Sequence, residues 1–455
     1  MMQTTSIHGM WSSRLMFVLA ATGSAVGLGN IWRFPYITSE NGGGAFVLVY
    51  LGCIALVGLP IMFSEIVVGR RGRMSPINSL RELADDAGAS RAWMGLGWLG
   101  LVAGFLVLSF YSVVAGWTLA YGFEYFKQLV MLGPGIENPQ AAFEALIGNP
   151  GRLIFWHALF MILTVGVVGL GVEKGLERAV SVLMPTLFVL LVLLLGYGMN
   201  TGHFQEAMGF LFRPDWSQIS GKMIVTAMGQ AFFTLSLGMC AIMAYGAYLP
   251  SNVNVPRVGV SVALADTAVA LIAGMAIFPI VLSFGLDPEG GGAGFIFTAL
   301  PHAFNAMPYG IAYGMAFFAL LAVAAWTSSI SLMEPPTAYF VEATNYSRKQ
   351  VALIVALATW AFGLLSVFGL NIWSEVRIGG KDIMGAVEYV AADVLLPIGG
   401  LLTALFAGWV LSNRITREEL DEKMPDWAFQ AWLWLTRVVT PILILIVMGA
   451  LLGII

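Results

Sequence analysis

A chain of 455 residues that is 58% hydrophobic and only 11% charged, with a mean hydropathy of +0.84, lacks the composition of a water-soluble protein, in which about a quarter of residues are charged. The net charge of −4 says little by itself, and no nucleic-acid partner is expected. The apolar residues fall into eleven blocks, near 14–38, 44–69, 92–126, 153–171, 179–199, 222–249, 257–285, 309–341, 350–370, 383–412 and 430–455. A bilayer core of about 30 Å needs roughly 20 such residues per helix. The blocks read as helices, because a segment in lipid must close its own backbone hydrogen bonds and the period-2 alternation of barrel strands is absent. The expectation is one all-α polytopic membrane domain over 1–455.

The first block is a retained span: His8 and Arg14 flank it, but Arg33-Phe34-Pro35 stands where a small-residue cleavage site would lie. Within it, Gly23, Gly27 and Gly29 alternate with polar Ser24 and Asn30, a composition that helices tolerate poorly. Close helix packing also uses glycines, but it does not account for Asn30 and Arg33 on the same helix. The second block carries Glu65, an intramembrane carboxylate with no cation near it in sequence, expected to satisfy freed amides elsewhere. The segments 128–152 and 201–221 read as loops rich in Gly, Pro, Asn and Asp. In the fifth block Gly175 and Pro185 mark a helix that is either kinked or able to unwind.

The sixth block contains a second interruption, Gln230 to Met239, with Thr234, Ser236 and Gly238. Two interrupted spans five helices apart predict two five-helix repeats of opposite orientation, about 14–199 and 222–412, with an extra helix at about 430–455. The seventh block holds a lone carboxylate, Asp266. The stretch Asp287 to Pro308 reads as a short helical hairpin forming a lid, with a loop on the membrane surface as the alternative. In the eighth block Thr327, Ser328 and Ser329 place three consecutive hydroxyls in an apolar helix; Ser329 is assigned to a carbonyl of the preceding turn, whereas a cation is a credible alternative for the other two. Asn413 to Asp426 is the longest polar stretch and reads as a loop. Cys53 and Cys240 fall inside spans and read as free thiols, and the four histidines show no metal-ligand spacing.

Basic residues set the orientation. Loops on the N-terminal side hold Arg70, Arg71, Arg73, Arg81, Arg91, Arg348, Lys349, Arg414 and others, whereas the opposite loops hold only Lys127, Arg152, Arg213, Lys222, Arg377 and Lys381. The N-terminus is therefore expected inside and, with an odd number of helices, Ile455 outside. An unwound stretch in a bilayer frees carbonyls that can ligate a hard cation and amides that, with the helix dipole, can hold a carboxylate. One break thus offers both halves of a site for a zwitterion and a cation.

Gly23-Ser-Ala-Val-Gly-Leu-Gly-Asn-Ile-Trp-Arg-Phe-Pro35, followed by Glu40-Asn-Gly-Gly-Gly-Ala-Phe46, Gln230–Gly238 and Thr327–Ser329, resembles the neurotransmitter:sodium symporter family over essentially the whole chain. The resemblance is to bacterial members and implies the LeuT-type fold with 11 transmembrane helices, helices 1 and 6 unwound at mid-membrane, in a bacterial inner membrane. It implies two sodium sites. The first takes the Ala25 carbonyl, Asn30 and Thr234, with Asp266 as its acidic member and the substrate carboxylate completing it. The second takes the carbonyls of Gly23, Val26 and Ala324 and the hydroxyls of Thr327 and Ser328. The substrate pocket comprises Ser24, Ala25, Leu28, Gly29, Val107, Tyr111, Phe233, Thr234, Ser236, Met239, Ser328 and Leu332. Tyr111 is placed to donate to the substrate carboxylate, and Phe233 to roof the pocket.

Tyr50 and Gln230 match the family's chloride positions, and Asp266 is expected to replace that chloride, to ligate sodium, or both; chloride independence follows. Arg33 pairs across the outer gate with Glu388, or with Asp382 as the second choice. Trp11, Tyr248 and Glu342 match an inner gate, with His8 near the place of a missing arginine. No ionisable residue lines the side-chain end of the pocket, where a charged substrate side chain would stay uncompensated, and Met239 can re-pack around apolar guests. The expected function is Na⁺-coupled symport of neutral L-amino acids, large hydrophobic or aromatic, without an organic cofactor. A proton-coupled symporter on the same fold and a non-transporting amino acid sensor are the alternatives; no nucleophile–base pair supports an enzyme. A homodimer is left open.

Overall fold

The computed structural model describes residues 6–200, 202–283 and 294–451. Among the described residues, nine helices are long and apolar enough to cross a membrane. They are α2 (Gly44–Gly72), α3 (Arg91–Val130), α4 (Pro150–Val168), α5 (Val172–Gly198), α7 (Val255–Ser283), α8 (Gly310–Ala343), α9 (Arg348–Gly369), α10 (Ile383–Val410) and α11 (Asp426–Leu451). A tenth, α1, is the pair Arg14–Ala25 and Gly29–Glu40, bent by 49°. Between α5 and α7 a further pair, α6, is formed by Gly221–Thr234 and Ala241–Ala247.

The arrangement follows the apolar surface each helix must cover. The most apolar window of α3 is 78% buried and that of α8 is 67% buried, and these two pack along each other at the centre. The corresponding windows of α5, α4 and α11 are only 28%, 33% and 33% buried, so these helices form the lipid-facing rim. Helix α1 lies between α7 and α8, and the second half of α6 packs against α2.

Both interruptions are backbone events. The first half of α1 stops at Ala25, where Val26 turns extended with φ −72° and ψ 105°. In α6 the chain between Thr234 and Ala241 passes through three left-handed residues, Ser236 (φ 54°), Gly238 (φ 79°) and Cys240 (φ 61°). A side chain at Gly238 would meet the Leu396 carbonyl at 2.2 Å, and one at Gly399 would meet the Gly238 carbonyl at the same distance. The α6 interruption therefore lies directly against the backbone of α10. Helix α5 begins with a π-turn over Val172–Glu177 and continues unbroken through Pro185.

The segments read as loops contain short helices: Pro76–Asp86, Pro139–Ile147, Phe204–Phe212 and Asn413–Leu420. The residues that suggested loops are, in two cases, caps. Asn138 accepts from the Ala141 amide at 3.0 Å and Ser412 from the Ile415 amide at 3.3 Å, each opening a helix with one buried face. Of the expected lid, the structure describes one helix, Phe295–Ala306; the Glu289-Gly-Gly-Gly arm lies outside the described residues. Phe297 on this helix packs among Trp117, Tyr121, Phe143 and Phe318. Cys53 and Cys240 are free and buried.

The close approach of α10 to the α6 interruption makes G399A a test of the packing. It should lower stability by about 1–3 kcal/mol, the usual cost of overpacking. G52A, whose new methyl meets nothing within 4 Å, should not. Thermal unfolding of the detergent-solubilised protein reads both; an unshifted G399A would show that the approach is not tight.

Candidate functional site

The two interruptions face each other across a small cavity lined by Ser24, Ala25, Gly27 and Gly29 of α1, Val107 and Tyr111 of α3, Phe233, Ser236 and Met239 of α6, and Ser328 and Leu332 of α8. Its free volume is about 20 Å³, room for about one water, so the walls are nearly in contact. Several of its polar groups bond one another. The Leu28 amide donates to the Tyr111 hydroxyl at 3.2 Å, Ser236 donates to the Ser24 carbonyl at 2.8 Å, and the Ser24 hydroxyl reaches Ser331 at 2.8 Å. Val107, Met239 and Leu332 supply apolar wall. A Cβ at position 27 would meet the Ser328 Oγ at 2.4 Å and the Tyr111 Oη at 2.8 Å, so only glycine fits there.

Leu28 and Thr234, assigned to the pocket from sequence, do not line this cavity. Leu28 is fully buried and presents its amide, while the Thr234 hydroxyl turns towards Asp266. Gly27 and Ser331, which the sequence reading left out of the pocket, belong to its wall and to the shell behind it.

Beside the cavity, oxygen atoms gather where α1 stops. Ser328 Oγ lies 3.4 Å from both the Gly23 and the Val26 carbonyl oxygens, and Thr327 Oγ1 lies 3.0 Å from that of Ala324. This is an all-oxygen donor set, the kind a hard cation prefers. Ser329 points away, donating to the Trp326 carbonyl at 2.9 Å with Thr164 at 3.0 Å.

Asp266 is fully buried among neutral donors. Asn30 Nδ2 donates to it at 2.7 Å, Thr234 Oγ1 at 3.0 Å, and the Tyr50 hydroxyl lies at 3.5 Å. Asn30 Oδ1 accepts from the Gly27 amide at 3.0 Å, which ties this cluster to the α1 interruption. Gln230 donates to the Gly29 carbonyl at 2.8 Å instead of joining Asp266. Among the described residues, no hydrogen bond joins the Ala25 carbonyl to Asn30 or Thr234, whose side chains turn to Asp266.

Comparison with known proteins agrees with this arrangement. The profile of the sodium:neurotransmitter symporter family matches residues 8–132 and 139–453. The chain belongs to this family. It is 36% identical to YhdH of Bacillus subtilis, an uncharacterized sodium-dependent transporter, over 98% of both chains. A sodium-dependent transporter of Haemophilus influenzae is 31% identical over 96% of both chains. Among solved structures, the crystal structure of MhsT in complex with L-phenylalanine superposes with a TM-score of 0.90 at 44% identity, covering 97% of this chain and 99% of that one. The fold is therefore of the LeuT type, and the chain is a membrane protein of a symporter family, not an enzyme.

In this symporter the two candidate gates differ in construction. At the first, Arg33 Nε lies 3.6 Å from Glu388, its guanidinium sits 4.9 Å over the Phe233 ring, and Nη1 donates to Gln230 at 3.3 Å. Asp382, the second choice for this pairing, instead caps the start of α10 through the Gly385 amide at 2.7 Å. At the second, the Trp11 indole donates to the Tyr245 carbonyl at 3.1 Å, and its amide to the Tyr248 carbonyl at 3.0 Å. Glu342 accepts from His8 at 2.8 Å, from the Ser75 amide at 2.7 Å and from Asn78 at 2.6 Å. Tyr248 does not bond Glu342; its hydroxyl donates at 2.7 Å to Glu334, which is ion-paired with Arg348. The sequence reading missed Glu334 and Arg348. The signal was present, since Glu334 is a carboxylate inside an apolar helix, but the Pro335-Pro336 that follows masks how deep it lies.

Glu65 holds the α6 interruption together. Its two oxygens accept from the Gly238 amide at 2.8 Å and the Met243 amide at 3.2 Å, spanning the gap between the half-helices. In E65Q one oxygen becomes an NH₂ that faces an amide donor. That leaves a buried N–H unpaired and should cost about 1–3 kcal/mol. The expected result is a lowered thermal midpoint, and an E65Q protein as stable as the parent would remove Glu65 from this role.

Proposed function

We propose that the chain is a Na⁺-coupled, chloride-independent symporter that imports neutral, large hydrophobic or aromatic L-amino acids by alternating access. The observation that carries this reading is the meeting of two interrupted helices around one closed cavity of polar and apolar side chains, with the Gly23–Val26–Ser328 oxygens and Asp266 close by. In this reading the α6 pair is an eleventh span, and the halves 14–199 and 222–412 are inverted repeats in a bacterial inner membrane, N-terminus inside. The proposed roles follow from position. Gly23, Val26, Ala324, Thr327 and Ser328 hold one sodium ion. Ala25, Asn30, Thr234 and Asp266 hold the other together with the substrate's own carboxylate, which couples the two ligands. The unpaired N–H groups where helices end favour that carboxylate, with Tyr111 beside it.

The apolar wall, with no ionisable group, supports a neutral side chain, and MhsT was crystallised with L-phenylalanine. An aromatic guest needs more room than the closed cavity has. Met239, with three rotatable bonds, and Phe233 are the walls best able to yield. Arg33 with Glu388 closes the site outward, and the Glu342 and Glu334 networks close it inward. One feature favours a second reading: Asp266 is a buried carboxylate that a coupling proton could occupy.

Uptake of labelled phenylalanine into proteoliposomes tests these readings. Uptake should require an inward Na⁺ gradient and persist when gluconate replaces chloride; uptake driven equally by a proton gradient alone would favour the second reading. S328A should raise the Na⁺ concentration for half-maximal binding by about tenfold, the scale of one lost ion–oxygen contact. An unshifted Na⁺ dependence would move the cation elsewhere. D266S removes the only anion that, among the described residues, faces Asn30, Thr234 and Tyr50, and its residual uptake should become chloride-stimulated. Indifference of D266S to chloride would refute the chloride-substitute role of the carboxylate.

A further inference from the structure

A second cavity, of about 930 Å³, lies away from the helix interruptions, between the last turns of α3, the first turns of α4 and the Pro139–Ile147 helix. This is the size of a site for a drug-sized molecule. Its charges are only partly self-paired. Glu124 is occupied by Lys127 at 2.7 Å and by Gln128 at 3.2 Å. Arg152 and Glu137 also line the cavity; both are exposed, and neither has an ion-pair partner among the described residues. Tyr121 lines it too, 4% exposed, with a buried hydroxyl that has no hydrogen-bond partner. The remaining wall is aromatic. Phe123 and Phe155, 55% and 58% exposed, flank Trp156 with ring centroids 5.7 and 5.1 Å apart from it.

The cavity thus presents one unpaired cation, one unpaired anion and a buried hydroxyl, beside an aromatic face at the end of two membrane helices. Aromatic rings at that height mark the boundary between headgroups and hydrocarbon. A water-soluble zwitterion would match the charges and leave the aromatic face unused. A purely anionic lipid would match Arg152 and be repelled by Glu137. We propose that this cavity binds a phosphoethanolamine-headed phospholipid, with its phosphate at Arg152, its ammonium at Glu137 and its first acyl carbons on Phe123, Phe155 and Trp156. An ammonium with three N–H donors suits a carboxylate partner, whereas a choline group has none to give.

The site touches the gating region through its walls. The Ile136 amide donates to Asn305 of the Phe295–Ala306 helix at 3.2 Å, and Phe143 stacks on Phe297 of the same helix at 5.7 Å. A lipid wedged behind the Pro139–Ile147 helix therefore braces the element that covers the outer side of the substrate cavity in the proposed reading. Only the assignment to the outer leaflet rests on the orientation proposed above; lipid binding itself is measured without transport.

The test uses the full-length protein in nanodiscs of equal phosphatidylethanolamine, phosphatidylcholine and phosphatidylglycerol. After extraction, retained lipids are counted by native mass spectrometry. The protein should retain phosphatidylethanolamine about fivefold over each of the others, the scale set by two partly exposed charge contacts. The double variant E137Q/R152Q, altered only at exposed side chains, should retain the three equally. Parity in the parent protein, a preference for phosphatidylglycerol, or a preference unchanged in the double variant would each overturn the proposal. Displacement of the lipid by free O-phosphoethanolamine would overturn the lipid in favour of a soluble ligand.

Discussion

In hydrocarbon, a helix can be interrupted only where other groups take over the hydrogen bonds it gives up. That constraint organises this protein. At the α6 interruption Glu65, fully buried on α2, takes the Gly238 and Met243 amides. Gly238 and Gly399 let the α10 backbone close over the same stretch, so that no lipid reaches it. At the α1 interruption the Ser24 carbonyl is taken by Ser236, and the Gly27 amide by Asn30. The carbonyls of Gly23 and Val26 are met only by one hydroxyl at 3.4 Å, longer than a good hydrogen bond. Those under-satisfied oxygens are the chemical reason a cation would settle there.

The same reasoning applies to charge. A carboxylate within a membrane is costly unless it is paired or hydrogen-bonded. Glu65 is met by amides, Asp266 by an amide side chain and two hydroxyls, and Glu334 by Arg348 and Tyr248. Only Glu334 has a full cation. Asp266 is surrounded by neutral dipoles and faces the α1 interruption, so its charge remains available to a mobile cation. This difference in partners separates a group suited to ion coupling from groups suited to holding structure.

Much of this was legible in the sequence, because hydropathy and glycine placement act locally. Apolar blocks gave the long helices, and Gly23–Gly29 and Gln230–Met239 marked both interruptions. Three kinds of feature were less legible. Short helices such as Pro139–Ile147 were read as loops, since Asn and Pro at a helix start look like turn residues until the buried Phe143 and Leu146 are seen. Side-chain direction was not readable, so Leu28 and Thr234 were placed in a cavity they stand behind. Long-range pairing was the third: nothing local links Tyr248 to Glu334, and the sequence reading joined Tyr248 to Glu342 instead.

The two candidate gates also bear on which way the protein opens more readily. The outer one rests on a single ion pair at 3.6 Å, with Glu388 26% exposed, and on the Arg33 guanidinium over Phe233. Arg33 is buried and Glu388 is the more exposed member of the pair. The inner one buries Glu334 completely against Arg348 and Tyr248, and surrounds Glu342 with donors from His8, Ser75 and Asn78. Breaking a buried pair on one side costs about 3–5 kcal/mol, because it leaves an uncompensated charge. In the reading proposed above, parting the Glu342 and Glu334 side therefore means separating more buried contacts than parting Arg33 from Glu388. The π-turn at Val172–Glu177 joins that side, since the Ser12 amide donates to Glu177 at 3.0 Å and so ties the N-terminal segment that carries Trp11 to the start of α5.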